Sequence, residues 1–274
     1  MNTSGQEKIR LKEQITDLMN RTEGHFGLAF KNLNNGDTIF IHAHEYFHAA
    51  STMKTPVMLE IFNQESKRKF KITDSIIVKN EFESIVDKSR YSLSINDDSD
   101  DILYRKIGQK MTIHDLTYEM MTKSSNLATN ILIDKVGAQN VMKLLNSLNI
   151  KENIVLRGVE DQKAFDAGLN NITTPYGLLQ IFEHIALTQP NNSRMMNILF
   201  DQKFNEIIPA HLPKNVKVAH KTGSITGVQH DSGLVYLPDG RKYALILLSK
   251  NLKNADAGVK TLAQISKLIY DSLN

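Results

Sequence analysis

The chain has 274 residues, and its 33 Lys and Arg against 30 Asp and Glu leave a formal net charge of only +3, too small to drive nucleic-acid binding by bulk charge. Hydrophobic residues make up 41% and charged residues 23%, the balance of a globular protein long enough to bury a core without staples. The absence of cysteine excludes a disulfide framework, a thiolate zinc site, an iron–sulfur cluster and a cysteine nucleophile.

Met1 to Glu7 contains no apolar signal-peptide core, and no apolar run approaches the roughly 20 residues of a membrane span. From Ile9 to Met19, apolar residues recur at helical spacing. Phe26, Leu28 and Phe30 then alternate, Asn34-Asn35-Gly36 signals a hairpin turn, and Asp37 to His42 can return as a second strand. After Ala49-Ala50 a helix follows, with Pro56 near its first turn. The stretch from Lys67 to Lys110 is irregular and charged, and its acidic run Asp97-Asp98-Ser99-Asp100-Asp101 reads as a solvated loop. Helical periodicity dominates from Thr112 to Leu148, and Thr174-Pro175 opens a further helix. Strands are expected over Val216–Lys221, Gly233–Leu237 and Tyr243–Ser249, with a turn at Pro238-Asp239-Gly240. A last amphipathic helix carries Val259, Leu262, Ile265 and Ile269. Strands at both ends and helices in the middle predict an α/β fold of the α+β type. The expected antiparallel sheet, built from both chain ends and flanked by the terminal helices, carries an inserted all-helical lobe. The predicted division is one unit over 1–274, with 1–50 and 216–274 forming the sheet lobe and 51–215 the helical lobe.

Three short motifs could carry chemistry. Ser51-Thr52-Met53-Lys54 is a Ser-x-x-Lys whose hydroxyl and amine share a helix face. A serine becomes a nucleophile when a base takes its proton, and a lysine of lowered pKa can serve. Such a motif arises about once by chance in a chain of this size. Ser66-Lys67-Arg68-Lys69 also fits but lies in a charged, exposed-looking stretch, and a helix N-cap is the plainer role for Ser51. Ser124-Ser125-Asn126 lies between two helical patterns, where it could be a polar junction. Lys221-Thr222-Gly223, followed by Ser224, falls on an expected strand that could be an ordinary edge.

In this order and on these elements, the set resembles the penicillin-recognising serine hydrolases, most closely the class A β-lactamases, whose motifs are Ser-x-x-Lys, Ser-Asp-Asn and Lys-Thr-Gly. Met111-Thr112, Asn171-Ile172-Thr173-Thr174-Pro175, His220 before the Lys-Thr-Gly and Leu237-Pro238-Asp239-Gly240 extend the resemblance over almost the whole chain. It implies that Ser51 is acylated by a β-lactam or peptidoglycan-like small molecule and that Lys54 helps deprotonate it. Ser124 would give a proton to the leaving nitrogen, and Asn126 would hold the substrate's amide. Lys221, Thr222 and Ser224 would bind its carboxylate beside Gly223, and the N–H groups of Ser51 and Ser224 would form the oxyanion hole. No cofactor and a monomer are expected, and the dispersed basic residues give no support to a nucleic-acid partner. Family members act outside the cytoplasm, so the expected location is the periplasm or the medium, with a leader not present in this chain.

The match has gaps. Ser125 stands where the family has aspartate. Forward alignment from Ser124 puts Glu160 at the family's water-activating glutamate. The loop from Glu160 to Pro175 is about two residues short, Ala164 replaces the family's asparagine, and Asp161 and Asp166 are rival acids. No arginine occurs at Gln229-His230-Asp231, with Lys250 the candidate substitute for binding a carboxylate. The alternatives within the fold are a D-Ala-D-Ala carboxypeptidase or penicillin-binding protein, an esterase, or a sensor acylated once. A different chemistry, zinc hydrolysis, is open through His42 and His44 with His48 or Glu45.

Overall fold

The computed structural model describes residues 3–187 and 192–273. Helix α1 (Thr3–Asn20) leads into strands β1 (His25–Asn32), β2 (Thr38–Ile41) and β3 (Phe47–His48). A 3₁₀ turn (Ala50–Met53) runs directly into α2 (Lys54–Ser66). Then come β4 (Ser75–Ile77), β5 (Phe82–Glu83), β6 (Arg90–Tyr91), α3 (Asp101–Tyr104) and β7 (Lys110–Thr112). Helices α4 (Ile113–Thr122), α5 (Asn126–Val136) and α6 (Ala138–Ser147) follow. Next are β8 (Asn153–Ile154), α7 (Gln162–Asp166), β9 (Ile172–Thr173), α8 (Pro175–Leu187) and α9 (Asn192–Phe200). The chain closes with β10 (Lys217–Ile225), β11 (Val228–Tyr236), β12 (Lys242–Lys250) and α10 (Ala255–Asp271).

The main sheet has the order β10-β11-β12-β1-β2, all antiparallel, so the first strand of the chain pairs with the last. Strand β12 shows why both ends are needed. Tyr243, Leu245 and Leu247 face a core shared with Ile15 of α1 and Leu262 and Ile265 of α10. Ala244, Ile246 and Leu248 face the second core, built on the helices. A strand covered on both faces reads as a continuous apolar run, and this one does. Helix α2 runs through the second core with Val57, Met58 and Ile61 fully buried. Polar caps set the helix starts: Thr112 Oγ1 accepts the Asp115 N–H, and Asn254 Oδ1 accepts that of Ala257.

Two expectations need correction. The β11 strand begins at Val228, five residues before the sequence pattern shows it, because Gln229, His230, Asp231 and Ser232 break the apolar run while their backbones still pair with β10. The acidic run is not simply solvated. Asp98 accepts the N–H groups of Asn126 (2.9 Å) and Leu127 (2.8 Å), and Asp100 is buried. The run therefore supplies the carboxylate that satisfies the first donors of α5, where the helix dipole also favours negative charge. Asp98→Ala is expected to cost about 1–2 kcal/mol, lowering the melting temperature by about 3–6 °C in a calorimetric scan.

Candidate active site

Ser51 lies inside the 3₁₀ turn, whose N-cap Ala49 makes no side-chain cap, so Ser51 is not an N-cap. It is half-buried and sits where two cavities meet. One, of about 320 Å³, is lined by His48, Asn126, Glu160 and Phe165; the other, of about 500 Å³, by Ser124, Phe204, Thr222 and Gln229. Ser224 borders both. The rival Ser66-Lys67-Arg68-Lys69 is exposed throughout.

The backbone around Ser51 is held under strain. Ala50 has φ 45°, in the left-handed region. Its N–H donates to His48 Nδ1 at 3.0 Å. Burial, then the Arg157 guanidinium, pushes the His48 pKa down and keeps the ring neutral and able to accept. Short pairs β3–β9 and β9–β8 dock this segment against the end of the 157–171 loop, and Ala49 N donates to Asn171 O at 2.8 Å.

Lys54 and Lys221 are both completely buried. Lys54 Nζ lies 2.7 Å from Ser124 O, 2.8 Å from Asn126 Oδ1 and 3.2 Å from Ser124 Oγ. Lys221 Nζ approaches the same Ser124 Oγ at 3.0 Å and donates to Thr222 O at 2.8 Å. Burial brings the Lys54 pKa down to about 7, against the opposing charges of Asp98 and Glu160. Burial, then the adjacent Lys54, drives the Lys221 pKa well below its ordinary value, opposed by Asp231. A neutral Lys54 satisfies every contact: it donates to the Ser124 carbonyl and to Asn126, and accepts from the Ser124 hydroxyl. The Ser124 oxygen is then free to accept from Lys221. Ser124 itself has φ 58°.

The shared face expected for Ser51 and Lys54 does not become a hydrogen bond. The Lys54 amine is drawn instead to Ser124 and Asn126, and among the described residues the Ser51 hydroxyl has no partner. Catalytic contacts are often made only once a substrate is bound.

Glu160 is the acid that reaches this network. Its Oε1 accepts from Asn126 Nδ2 at 2.7 Å, so Asn126 links it to Lys54. Burial raises the Glu160 pKa, with the Asn126 hydrogen bond opposing, and its φ is 59°. The rival acids face elsewhere. Asp161 is 2% exposed and accepts from Ser84 Oγ, Ile85 N and Ala164 N, binding the loop to the β5–β6 hairpin. Asp166 accepts from Gln162 on the surface. Ala164 is buried and offers no side-chain amide; the side-chain amide on Glu160 comes from Asn126. Arg157 closes the loop through Leu169 O and Asn170 Oδ1.

Strand β10 lies against the Ser51 turn at Gly223. A Cβ there would stand 3.2 Å from the backbone nitrogens of both Ser51 and Thr52, so only glycine permits this approach without a shift. Thr222 is half-buried, and Ser224 is exposed with its Oγ accepting from Gln229 Nε2 at 2.9 Å. Ser125 serves as the N-cap of α5, its Oγ accepting the Ala128 N–H.

Lys250 is not a substitute for the missing arginine. Its Nζ is bound to Glu45 Oε1 (2.6 Å) and Tyr46 O (3.0 Å), and it lines neither cavity at Ser51. The expected zinc set also comes apart. His44 turns to Glu152, and His48 holds Ala50, whereas His42 and Glu45 converge with His25. Three contributors were invisible in sequence. Asp98 reads as loop, His48 reads as a ligand, and nothing marks His230, whose Nε2 lies 2.9 Å from the His48 carbonyl while its Nδ1 meets the Gln229 carbonyl and the Ser249 N–H.

This five-stranded antiparallel sheet with its helical half has the fold of the penicillin-recognising serine hydrolases. The model of the Beta-lactamase enzyme family matches residues 10–273, and the chain belongs to that family. A β-lactamase of Bacteroides uniformis is 24% identical over 98% of this chain and 93% of its own length. Among solved structures, a β-lactamase from Sphaerobacter thermophilus superposes with a TM-score of 0.81 at 23% identity, covering 95% of this chain and 96% of that one. A mutant of PBP-A, seen as an acyl-enzyme with penicillin G, gives 0.81 at 25% identity, covering 97% and 96%.

Proposed function

We propose that this chain is a serine β-lactamase that opens the β-lactam ring through an acyl-enzyme on Ser51. Neutral Lys54 takes the Ser51 proton as the hydroxyl attacks the carbonyl carbon. The N–H groups of Ser51 and Ser224, held close by Gly223, stabilise the tetrahedral oxyanion, where one donor is worth about 3 kcal/mol. Ser124 protonates the departing nitrogen and is reprotonated from the lysines at its oxygen. Lys221, Thr222 and Ser224 hold the substrate carboxylate. Glu160, oriented by Asn126, removes a proton from the water that hydrolyses the ester.

The observation that carries this reading is the hydrogen-bonded set Glu160–Asn126–Lys54–Ser124–Lys221, drawn beside Ser51 from separate parts of the chain. The penicillin acyl-enzyme of the PBP-A mutant supports the acylation half. The reading takes residues 1–274 as one unit acting as a monomer. It also includes export to the periplasm or the medium, where β-lactams are met. Among the described residues no helix is long and apolar enough to cross a membrane.

Mass spectrometry with penicillin and with a chromogenic cephalosporin tests it. The expected result is a transient adduct of the whole drug on Ser51 accompanied by turnover. A persistent adduct without turnover would make the chain a penicillin-binding protein, and no adduct would remove the acyl-enzyme altogether.

A further inference from the structure

His42 and His44, between β2 and β3, play no part in the proposed hydrolysis, yet His42 and Glu45 of this stretch meet a third side chain from the start of β1. Ligand atoms of His25, His42 and Glu45 all lie within 4.8 Å of one another. We infer that these three residues form a divalent-metal site, suited to zinc and the neighbouring late transition metals, that ties the start of β1 to the segment leading to Ser51.

Each ligand is already oriented. His42 Nδ1 lies 2.8 Å from the Phe26 carbonyl, which can only accept, so the proton sits on Nδ1 and the Nε2 lone pair is left for a metal. His42 has φ 46°, a left-handed conformation that costs free energy in a non-glycine residue and aims this ring. Glu45 is fixed from its other side: Lys250 holds Oε1 at 2.6 Å, and Oε2 points to His25 Nε2, also at 2.6 Å. The His25 and His42 rings stack with centroids 4.6 Å apart. A metal would replace the proton that His25 and Glu45 share, and a fourth position can be filled by water from the cavity that His25, His42 and Glu23 line. Two imidazoles, one carboxylate and water are an ordinary zinc set.

The site is separate from the reaction, since none of the three residues lines either cavity at Ser51. It is connected to that segment mechanically. His25 stacks on Phe47 at 6.0 Å, and Phe47 meets the edge of His230, whose Nε2 lies 2.9 Å from the His48 carbonyl. A metal here braces residues 42–48 and leaves hydrolysis independent of chelators.

Equilibrium dialysis of tag-free protein against zinc, with thermal unfolding at several zinc concentrations, tests the site. The expected result is about one zinc per chain and a melting temperature that rises with zinc. His42→Asn, which tolerates the left-handed backbone, and His25→Gln should each weaken zinc binding at least tenfold and abolish the thermal shift. His44→Asn should change neither. If the metal-free His42→Asn protein proves unfolded, Glu45→Gln gives the same comparison through a half-buried side chain. No zinc above background in the parent, or loss of zinc in His44→Asn with retention in the other variants, would overturn the site.

Discussion

Glu160→Gln is expected to acylate with penicillin at a rate within a few-fold of the parent, and then to stay acylated. The second half-reaction should slow by about 10²–10⁴-fold, the usual loss when a positioned general base is removed. The substitution is well matched to the site. Glutamine keeps an oxygen for the Asn126 amide that now donates to Glu160 at 2.7 Å, and it can adopt the same φ of 59° as the residue it replaces. It removes only the ability to take a proton. In the parent, burial raises the Glu160 pKa. A base works ionised, so deacylation is lost as pH falls, and it fails at a higher pH than an ordinary carboxylate would allow. Rapid-quench mass spectrometry across pH separates the two half-reactions. Parent-like turnover in Glu160→Gln would make Glu160 a bystander in the loop.

The sequence carried the architecture because its signals there are periodic. The alternating apolar residues of β1 and the helical spacing from Thr112 to Leu148 report a buried face, and the continuous apolar run of β12 reports burial on both. The side chains most visible in the site, Ser51, Lys54, Ser124 and Lys221, were legible as motifs. The part that stayed hidden depends on backbone conformation and on contacts distant in sequence. The left-handed φ of Ala50, Ser124 and Glu160 has no residue-type signature, since none of the three is glycine. Asp98 looks like any member of an acidic loop until α5 is placed against it. Glu160 and Asp161 differ by one residue of loop register, and Asp161 is claimed by Ser84 and Ile85, 77 and 76 positions away. The same holds for Lys250: its strand is legible, but the Glu45 that captures its amine lies 205 positions earlier and carries no sequence sign of doing so.

The other large effect is expected at Lys54. Lys54→Met nearly preserves side-chain volume in a fully buried position and should slow acylation by about 10³–10⁴-fold, at the upper end for loss of a general base. Lys54→Arg separates base from charge. A guanidinium can keep hydrogen bonds to the Ser124 carbonyl and Asn126, but it does not deprotonate in a protein. It should therefore acylate as slowly as Lys54→Met, although it restores a cation beside Lys221. The pH dependence follows from the same burial. An exposed lysine would be neutral in only about one molecule in three thousand at pH 7, whereas burial brings Lys54 down to about 7. The working form is the neutral amine, so parent acylation should climb with pH to a plateau, with a midpoint near 7. Asp98 and Glu160 oppose the lowering, so Glu160→Gln should move that midpoint downward, coupling the two residues in one titration. Stopped-flow acylation rates from pH 5 to 9 give both readings. Substantial activity in Lys54→Arg, or a flat parent profile through pH 7, would assign the Ser51 proton to another base.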